Sequence, residues 1–429
     1  MLIDFTVANF RSIRDRQSLT LDRSARGTRE AREAGWRRPD ILPVSVIYGG
    51  NAAGKTSLID AVGYLISAVE NSYASWKPRG GTGRREPFRL DRAHSNQPTE
   101  VDVEFVAGDG LEYRYGFAID DERVVSEYLH VFRTRRRSVL FERELDDYKF
   151  GDSFRGPASL LRGTTRPNAL FLSAAAAAGL DATEAAHAWI TETLAVYAAT
   201  DYRAEHHHVK QRMSEDPGYR AHMTALMESA GLGVVGLDVK RHELPSEERA
   251  RIRKLLEAQN ELNNIDEILR TIESEIVLRH RGEDMDVDLP FDAESDGTHA
   301  LLSFGSLTYR ALEQGTVCVV DEIDTSLHPL LVRELVAVFT DPRINVHQAQ
   351  LIFTTHDVSL LGAGTPIDRE SVWVAEKSHT GATSLYPLTE YGTPRKEENL
   401  ERGYMTGRFG GLPNLSIANT FLALVTSGD

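Results

Sequence analysis

The sequence predicts an α/β fold with an antiparallel β subdomain in its N-terminal half and an inserted helical lobe. Three observations predict it. The string GGNAAGKT (Gly49–Thr56) stands between an apolar β-branched run and a helical pattern. A period-two stretch runs from Thr99 to Leu145. Two further apolar runs end in reactive side chains, TVCVVDE (Thr316–Glu322) and QLIFTTHD (Gln350–Asp357). Buried apolar strands separated by helical segments build a parallel sheet, whereas alternation builds an antiparallel one with one wet face.

In chain order, residues 1–21 alternate around NFRSI (Asn9–Ile13) and read as an antiparallel strand pair joined by a turn. Residues 22–42 are polar and Arg-rich, a loop with a short helix. Val44, Val46 and Ile47 make a buried strand, and Leu58, Ile59, Val62, Leu65 and Ile66 give the helix after the glycine loop, to about Asn71. Ser75–Arg92 is rich in Gly, Pro and Arg and reads as an exposed loop. VDVEFVA, LEYRYGFAI, RVVSEYLHVF and SVLFEREL follow as a four-stranded meander. After Asp181 the pattern turns helical over His187–Ala199, Pro217–Gly231 and Pro245 to about Arg281, where apolar residues from Ile252 to Ile276 recur at spacings of three and four. That last stretch reads as packed helices of a lobe, with a short protruding hairpin divided at Asn263-Asn264 as the alternative. The domains expected are therefore 1–150, the helical lobe 151–290, and 291–429.

Bulk composition narrows the function. The chain has 429 residues, is 41% hydrophobic and 26% charged, and contains no apolar stretch of the roughly 20 residues that would cross a bilayer. Its one cysteine, Cys318, excludes a disulfide framework and a cysteine zinc site, and suits a reducing cytoplasm. A net charge of -15 argues against a surface coated for nucleic acid. Two basic clusters, Arg23–Arg38 and Arg133–Arg137, read as solvated loop or edge charge. His206-His207-His208, at consecutive positions, cannot all face one metal from a helix and reads as a surface cluster.

Strand, glycine loop and helix together form a phosphate site, because the loop N–H groups turn inward at the positive end of a new helix. Gly49, Asn51, Gly54 and Ser57 belong to that turn; Lys55 would reach the β- and γ-phosphates of ATP, and Thr56 would give Mg²⁺ a hydroxyl ligand. A buried strand delivering Asp321 then Glu322 fits a metal-holding carboxylate followed by one that polarises water. SDGT (Ser295–Thr298) precedes a helical run, IDTSLHP (Ile323–Pro329) follows the acidic pair, and His356 sits just past a third strand. Ligands of open α/β sheets collect outside the carboxyl ends of the strands, where all of these fall.

Taken together these motifs resemble the ABC-type ATPases of the SMC-like branch, and among them the short ATPases without membrane domains found in bacterial defence loci. The resemblance rests on NFRSI, GGNAAGKT, ESDGT, VCVVDEIDTSLHP and IFTTHD, and extends to PFRLD (Pro87–Asp91), NALFLS (Asn168–Ser173) and YMTGRFGGLPN (Tyr404–Asn414). It implies a P-loop NTPase head in which the signature of one protomer caps ATP held by another. Ser295, Gly297 and Thr298 would then meet the γ-phosphate in trans, and Asp324 and Ser326 would reach across the dimer. His356 would sense the γ-phosphate, and Arg11 would help hold the phosphates. The glutamine that usually couples metal to lobe has no clear counterpart; Gln97 is the nearest candidate, and a chain lacking it would hydrolyse ATP slowly.

The expected function is an ATP-hydrolysing homodimeric or higher-order switch that controls a separately encoded effector, a nuclease being one candidate, in anti-phage defence. Residues 357–429 hold no pair of metal-binding acidic motifs, so a fused nuclease of the OLD type is not expected. The alternative is an SMC-like clamp that binds DNA when ATP closes the dimer. A transporter engine and a nucleotide binder without hydrolysis are disfavoured, the latter because Glu322 is present.

Overall fold

Alternation in the first residues produces β1 (Leu2–Ala8), which pairs antiparallel with β2 (Gln17–Thr20) in the register Asp4↔Thr20 to Val7↔Gln17. The computed structural model describes residues 1–22, 41–77, 81–83, 85–133, 136–154, 156–198, 202–258, 265–391 and 399–412. Next come β3 (Val44–Tyr48), the helix Lys55–Asn71 and the meander β4 (Thr99–Val106), β5 (Glu112–Ile119), β6 (Val124–Phe132) and β7 (Arg137–Glu144). A short further strand, β8 (Asp147–Phe150), was not foreseen. All of these strands except β3 form one seven-stranded sheet in the order β2-β1-β4-β5-β6-β7-β8. Val101, Val103, Phe105, Tyr113, Tyr115, Phe117, Leu129 and Val131 alternate onto its buried face. The helix Lys55–Asn71 sets Tyr64 against Phe10 and Phe117 of that subdomain, at ring separations of 5.5 and 6.2 Å.

Two charges lie inside this core. Glu127 and Arg143 are each 1% exposed and stand directly opposite on β6 and β7. The Glu127 carboxylate accepts from the N–H groups of Phe171 (2.6 Å) and Leu172 (2.9 Å) and from the Tyr115 hydroxyl (3.0 Å). Arg143 donates to the carbonyls of Leu145, Ala169 and Pro167 and approaches Glu127 at 3.7 Å. Burial pushes the Glu127 carboxyl up, and Arg143 with the donated hydrogen bonds pulls the other way. The NALFLS segment is thereby bolted to the meander by charge-assisted bonds.

The remaining strands are β9 (Leu194–Ala198), β10 (Val234–Arg241), β11 (Ser274–His280), β12 (Val287–Pro290), β13 (Val317–Asp321), β14 (Gln350–Thr354), β15 (Val372–Lys377) and β16 (Thr383–Pro387). A six-stranded sheet runs β16-β15-β3-β14-β13-β9. β3 is parallel to both β14 and β15, and β13 is parallel to β14. All five residues of β3 and of β14 are buried, as a strand covered on both faces requires. The Gln350 amide fastens this sheet to β1, accepting from Leu2 N–H (2.6 Å) and donating to Leu2 O (3.0 Å).

The chain divides into two compact units, 1–197 with 311–323 and 336–429, and 198–310 with 324–335. The divisions fall at 197 and 310 rather than at 150 and 290, because residues 151–197 pack with the meander core. The second unit is not purely helical: β10, β11 and β12 form a three-stranded antiparallel sheet in it. Two helical expectations are corrected. Over His187–Ala199 the helix Asp181–Ala188 passes through a π turn, Trp189–Thr193, into β9. Over Pro245–Arg281 there are helices Ser246–Ala258 and Ile265–Ile272, and then β11, whose Ile276, Val277 and Leu278 are buried in the small sheet. The Asn263-Asn264 division lies outside the described residues, as do Arg23–Arg38, Arg135 and most of the segment after Tyr391.

Two surface expectations also change. The loop before β4 is not wholly exposed: Phe88 is buried, and buried Arg85 donates to Asp121, Gln97 O and Ser95 O. The amide of Asn9 ties it down, donating to His94 O and Gln97 O and accepting from Phe88 N–H. Gln97 itself is exposed in that turn. His206 is not a solvated surface residue, since its ring lies 4.6 Å from Phe291 and 5.5 Å from His299, and burial lowers the pKa of His208. No cluster of three or more His, Cys, Asp or Glu suited to a metal occurs among the described residues, and no described helix is long and apolar enough to cross a membrane.

Candidate functional site

At the carboxyl ends of β3, β13 and β14 the first unit gathers Lys55, Thr56, Asp321, Glu322 and His356. The turn from β3 into the helix passes through Gly54 at φ 104°, where a Cβ would sit 2.0 Å from Thr383 Oγ1 and 2.7 Å from Ser12 Oγ. Only glycine fits there. The hydroxyls behind it interlock: Ser12 Oγ lies 2.8 Å from Ser57 Oγ, and Thr383 Oγ1 lies 2.8 Å from Ser12 Oγ and 2.9 Å from Ala53 O. Asn51 is exposed at the tip of the loop.

Lys55 is buried and donates to Gly49 O at 2.8 Å and Gly50 O at 3.3 Å, with His356 Nε2 at 3.2 Å. Thr56 Oγ1 donates to Asp321 Oδ2 at 2.8 Å. Glu322 follows at φ 51°, a left-handed backbone that is costly for a non-glycine residue, and its Oε1 stands 3.8 Å from His356 Nε2. A cation is therefore available for phosphate, two oxygen donors converge as a hard metal requires, and a carboxylate and an imidazole face the same space.

Thr354 is a site residue that the sequence reading did not single out. Its buried hydroxyl donates to Asp321 Oδ1 at 2.6 Å and accepts from the Glu322 N–H at 2.7 Å, while its carbonyl accepts from Ile323 N–H. One side chain thus aims both acidic residues. A polar residue closing an apolar strand beside the Asp-Glu strand was the available signal. On the ATPase reading proposed below, Thr354→Val should lower steady-state ATP turnover by about 10- to 100-fold, the effect of about 1–3 kcal/mol of lost alignment, with Thr354→Ser restoring it. Phosphate release from the two variants checks this.

Arg11, at φ 48°, pairs its guanidinium with Asp60 and with Glu86 at 2.7 Å, so a role on phosphate would require it to exchange those carboxylates.

The second unit brings together the other group. Ser295 caps the helix Asp296–Gln314: its Oγ accepts from Thr298 N–H at 3.2 Å and lies 3.0 Å from Thr298 Oγ1. Gly297 is packed so that a Cβ would stand 3.1 Å from Ser326 O, and Ser326 turns at φ 64°. Ser295, Gly297 and Ser326 therefore form one surface of that unit, with Asp324 half-buried beside Thr325 in the same segment. His280 Nε2 to Glu294 Oε1 at 2.7 Å and His299 Nε2 to Phe291 O at 2.7 Å hold the loop that leads into it.

A protein-family model described as "AAA domain, putative AbiEii toxin, Type IV TA system" matches residues 44–362. No curated protein matches the sequence. Among solved structures, the SMC head domain from Thermotoga maritima aligns at 13% identity and TM-score 0.40, over 90% of this chain and 98% of its own. The Smc head bound to the C-winged helix domain of ScpA aligns at 13% and 0.44, over 90% and 96%. The recombination mediator RecF-ATPrS of the RecFOR pathway aligns at 13% and 0.35, over 90% and 98%.

Proposed function

The chain belongs to the AbiEii-type AAA-domain family, and from that premise we propose that it is an ATP-binding and ATP-hydrolysing dimeric switch that controls a separately encoded effector in anti-phage defence. The observation that carries the ATPase part is the convergence of Lys55, the Thr56–Asp321 pair, Glu322 and His356 at the carboxyl end of one sheet. Lys55 and the loop N–H groups would hold the triphosphate, with the Gly54 crowding fixing the loop's path. Thr56 and Asp321 would hold Mg²⁺, which supplies charge neutralisation to the phosphates. Glu322 would take the proton from the attacking water, and His356 would contact the terminal phosphate.

The Ser295–Thr298 cap at a helix N-terminus supports the dimer part, in which that terminus would meet a phosphate carried by a second copy. Two nucleotides would then be shared across a head-to-tail pair, and their hydrolysis would loosen it. The family's description, a putative toxin of a type IV toxin–antitoxin system, supports a functional pairing with another gene product.

Sedimentation of the full chain tests the reading. ATP with Mg²⁺ should double the sedimenting mass, and Lys55→Ala should remain monomeric with ATP affinity reduced about 100-fold or more. Expression with and without the neighbouring gene should show DNA or RNA cleavage only when both are present. Strong nuclease activity in the pure chain would defeat the effector model.

A further inference from the structure

Glu294, which opens ESDGT, puts a negative charge one residue before Ser295, where it would repel an incoming phosphate. The second unit ties that carboxylate down. His280 Nε2 stands 2.7 Å from Glu294 Oε1, and the Glu294 side chain is only 9% exposed. An ionised carboxylate only accepts, so this imidazole nitrogen carries the hydrogen and donates it.

His280 sits on a rigid support. It ends β11, the central strand of the small sheet, with its backbone paired to Val234 of β10 on one side and Val287 of β12 on the other. A second imidazole closes the turn from its opposite end. His299 Nε2 donates to Phe291 O at 2.7 Å, and the same carbonyl accepts the Glu294 N–H at 2.9 Å. Phe291 is buried, with the rings of His299 and His206 at 4.3 and 4.6 Å from its own. The turn 291–294 is thus held at its first residue by the helix it leads into, and at its last by a strand with both edges filled. Ser295, next in the chain, accepts from Thr298 N–H on its Oγ.

We propose that His280 is a positioning residue for the Ser295–Thr298 cap, its imidazole holding the Glu294 carboxylate aside so that Ser295 and the helix N-terminus are presented to a phosphate. The positioning half stands on the hydrogen bonds; the phosphate half rests on the ATP-bridged dimer proposed above. Without the imidazole the carboxylate is free to swing beside Ser295, where it competes with phosphate for the same N–H groups and repels it.

His280→Leu in the full chain deletes the donor, His280→Gln keeps an N–H donor on a neutral side chain, and Glu294→Ala cuts the same bond from its other end. The expected result is faster amide hydrogen exchange over residues 293–299 in the leucine and alanine variants, and wild-type exchange in the glutamine variant. The leucine variant should bind ATP as a monomer with unchanged Kd. The Kd of its ATP-driven dimer, read by sedimentation, should rise about tenfold and return to the wild-type value with glutamine. Unchanged exchange over 293–299 in either the leucine or the alanine variant overturns the proposal, whether or not the chain dimerises. Faster exchange with an unaltered dimer constant, or with both constants weakened alike, overturns the control of phosphate binding. A wild-type chain that stays monomeric in saturating ATP would instead sink the dimer reading, leaving the exchange result to decide positioning.

Discussion

Glu322→Gln is expected to bind ATP as tightly as the wild-type chain, to hydrolyse it at least about 100-fold more slowly, and to stay dimeric while ATP is present. The glutamine keeps the shape and length of the side chain. It also keeps the backbone held at φ 51° by the Thr354 hydroxyl, so what disappears is the capacity to accept a proton. Asp321 remains in place through Thr56 and Thr354, which is why nucleotide affinity should survive. Single-turnover phosphate release and sedimentation with ATP, ADP and no nucleotide separate the three claims. Unchanged turnover would remove Glu322 from the role of base.

The second large effect belongs to the core. Glu127→Ala should destabilise the chain by about 3–5 kcal/mol, lowering the melting temperature by about 6–10 °C, because it strands the buried Arg143 charge. It also leaves the N–H groups of Phe171 and Leu172 and the Tyr115 hydroxyl without their acceptor. Glu127→Gln, which retains one acceptor oxygen, should fall between the two. Thermal unfolding followed by circular dichroism checks the order. A melting temperature within 1–2 °C of wild type for the alanine variant, less than about 1 kcal/mol, would show the pair to be dispensable.

Much of this was legible in the sequence because the decisive signals are local. The glycine loop, the Asp-Glu pair and His356 each end an apolar strand, and the fold places strand ends together. The meander was legible from its period. Misreadings arose where two periods ran into each other: Ile276 continues a three-and-four spacing from Leu269 and Ile272, yet Ile276–Leu278 is a buried strand. The buried ion pair was readable in principle. Glu127 shares parity with Leu129 and Val131, and Arg143 with Phe141, so opposite charges were waiting on the inward faces of neighbouring strands. Thr383 was not readable, since nothing local to it says that it will meet a loop more than 300 positions earlier.

That separation has a kinetic side. Both hydrogen-bonding edges of β3 are filled by strands that begin at Gln350 and Val372, so β3 has no partner in its sheet until synthesis has passed Thr354, and its second edge stays open until Lys377. Loop closure over such a span makes assembly slow, and a ribosome-bound or truncated chain carries that strand as a naked adhesive edge. The centre of the six-stranded sheet is thus among the last parts to be finished, and incomplete translation products are predisposed to aggregate.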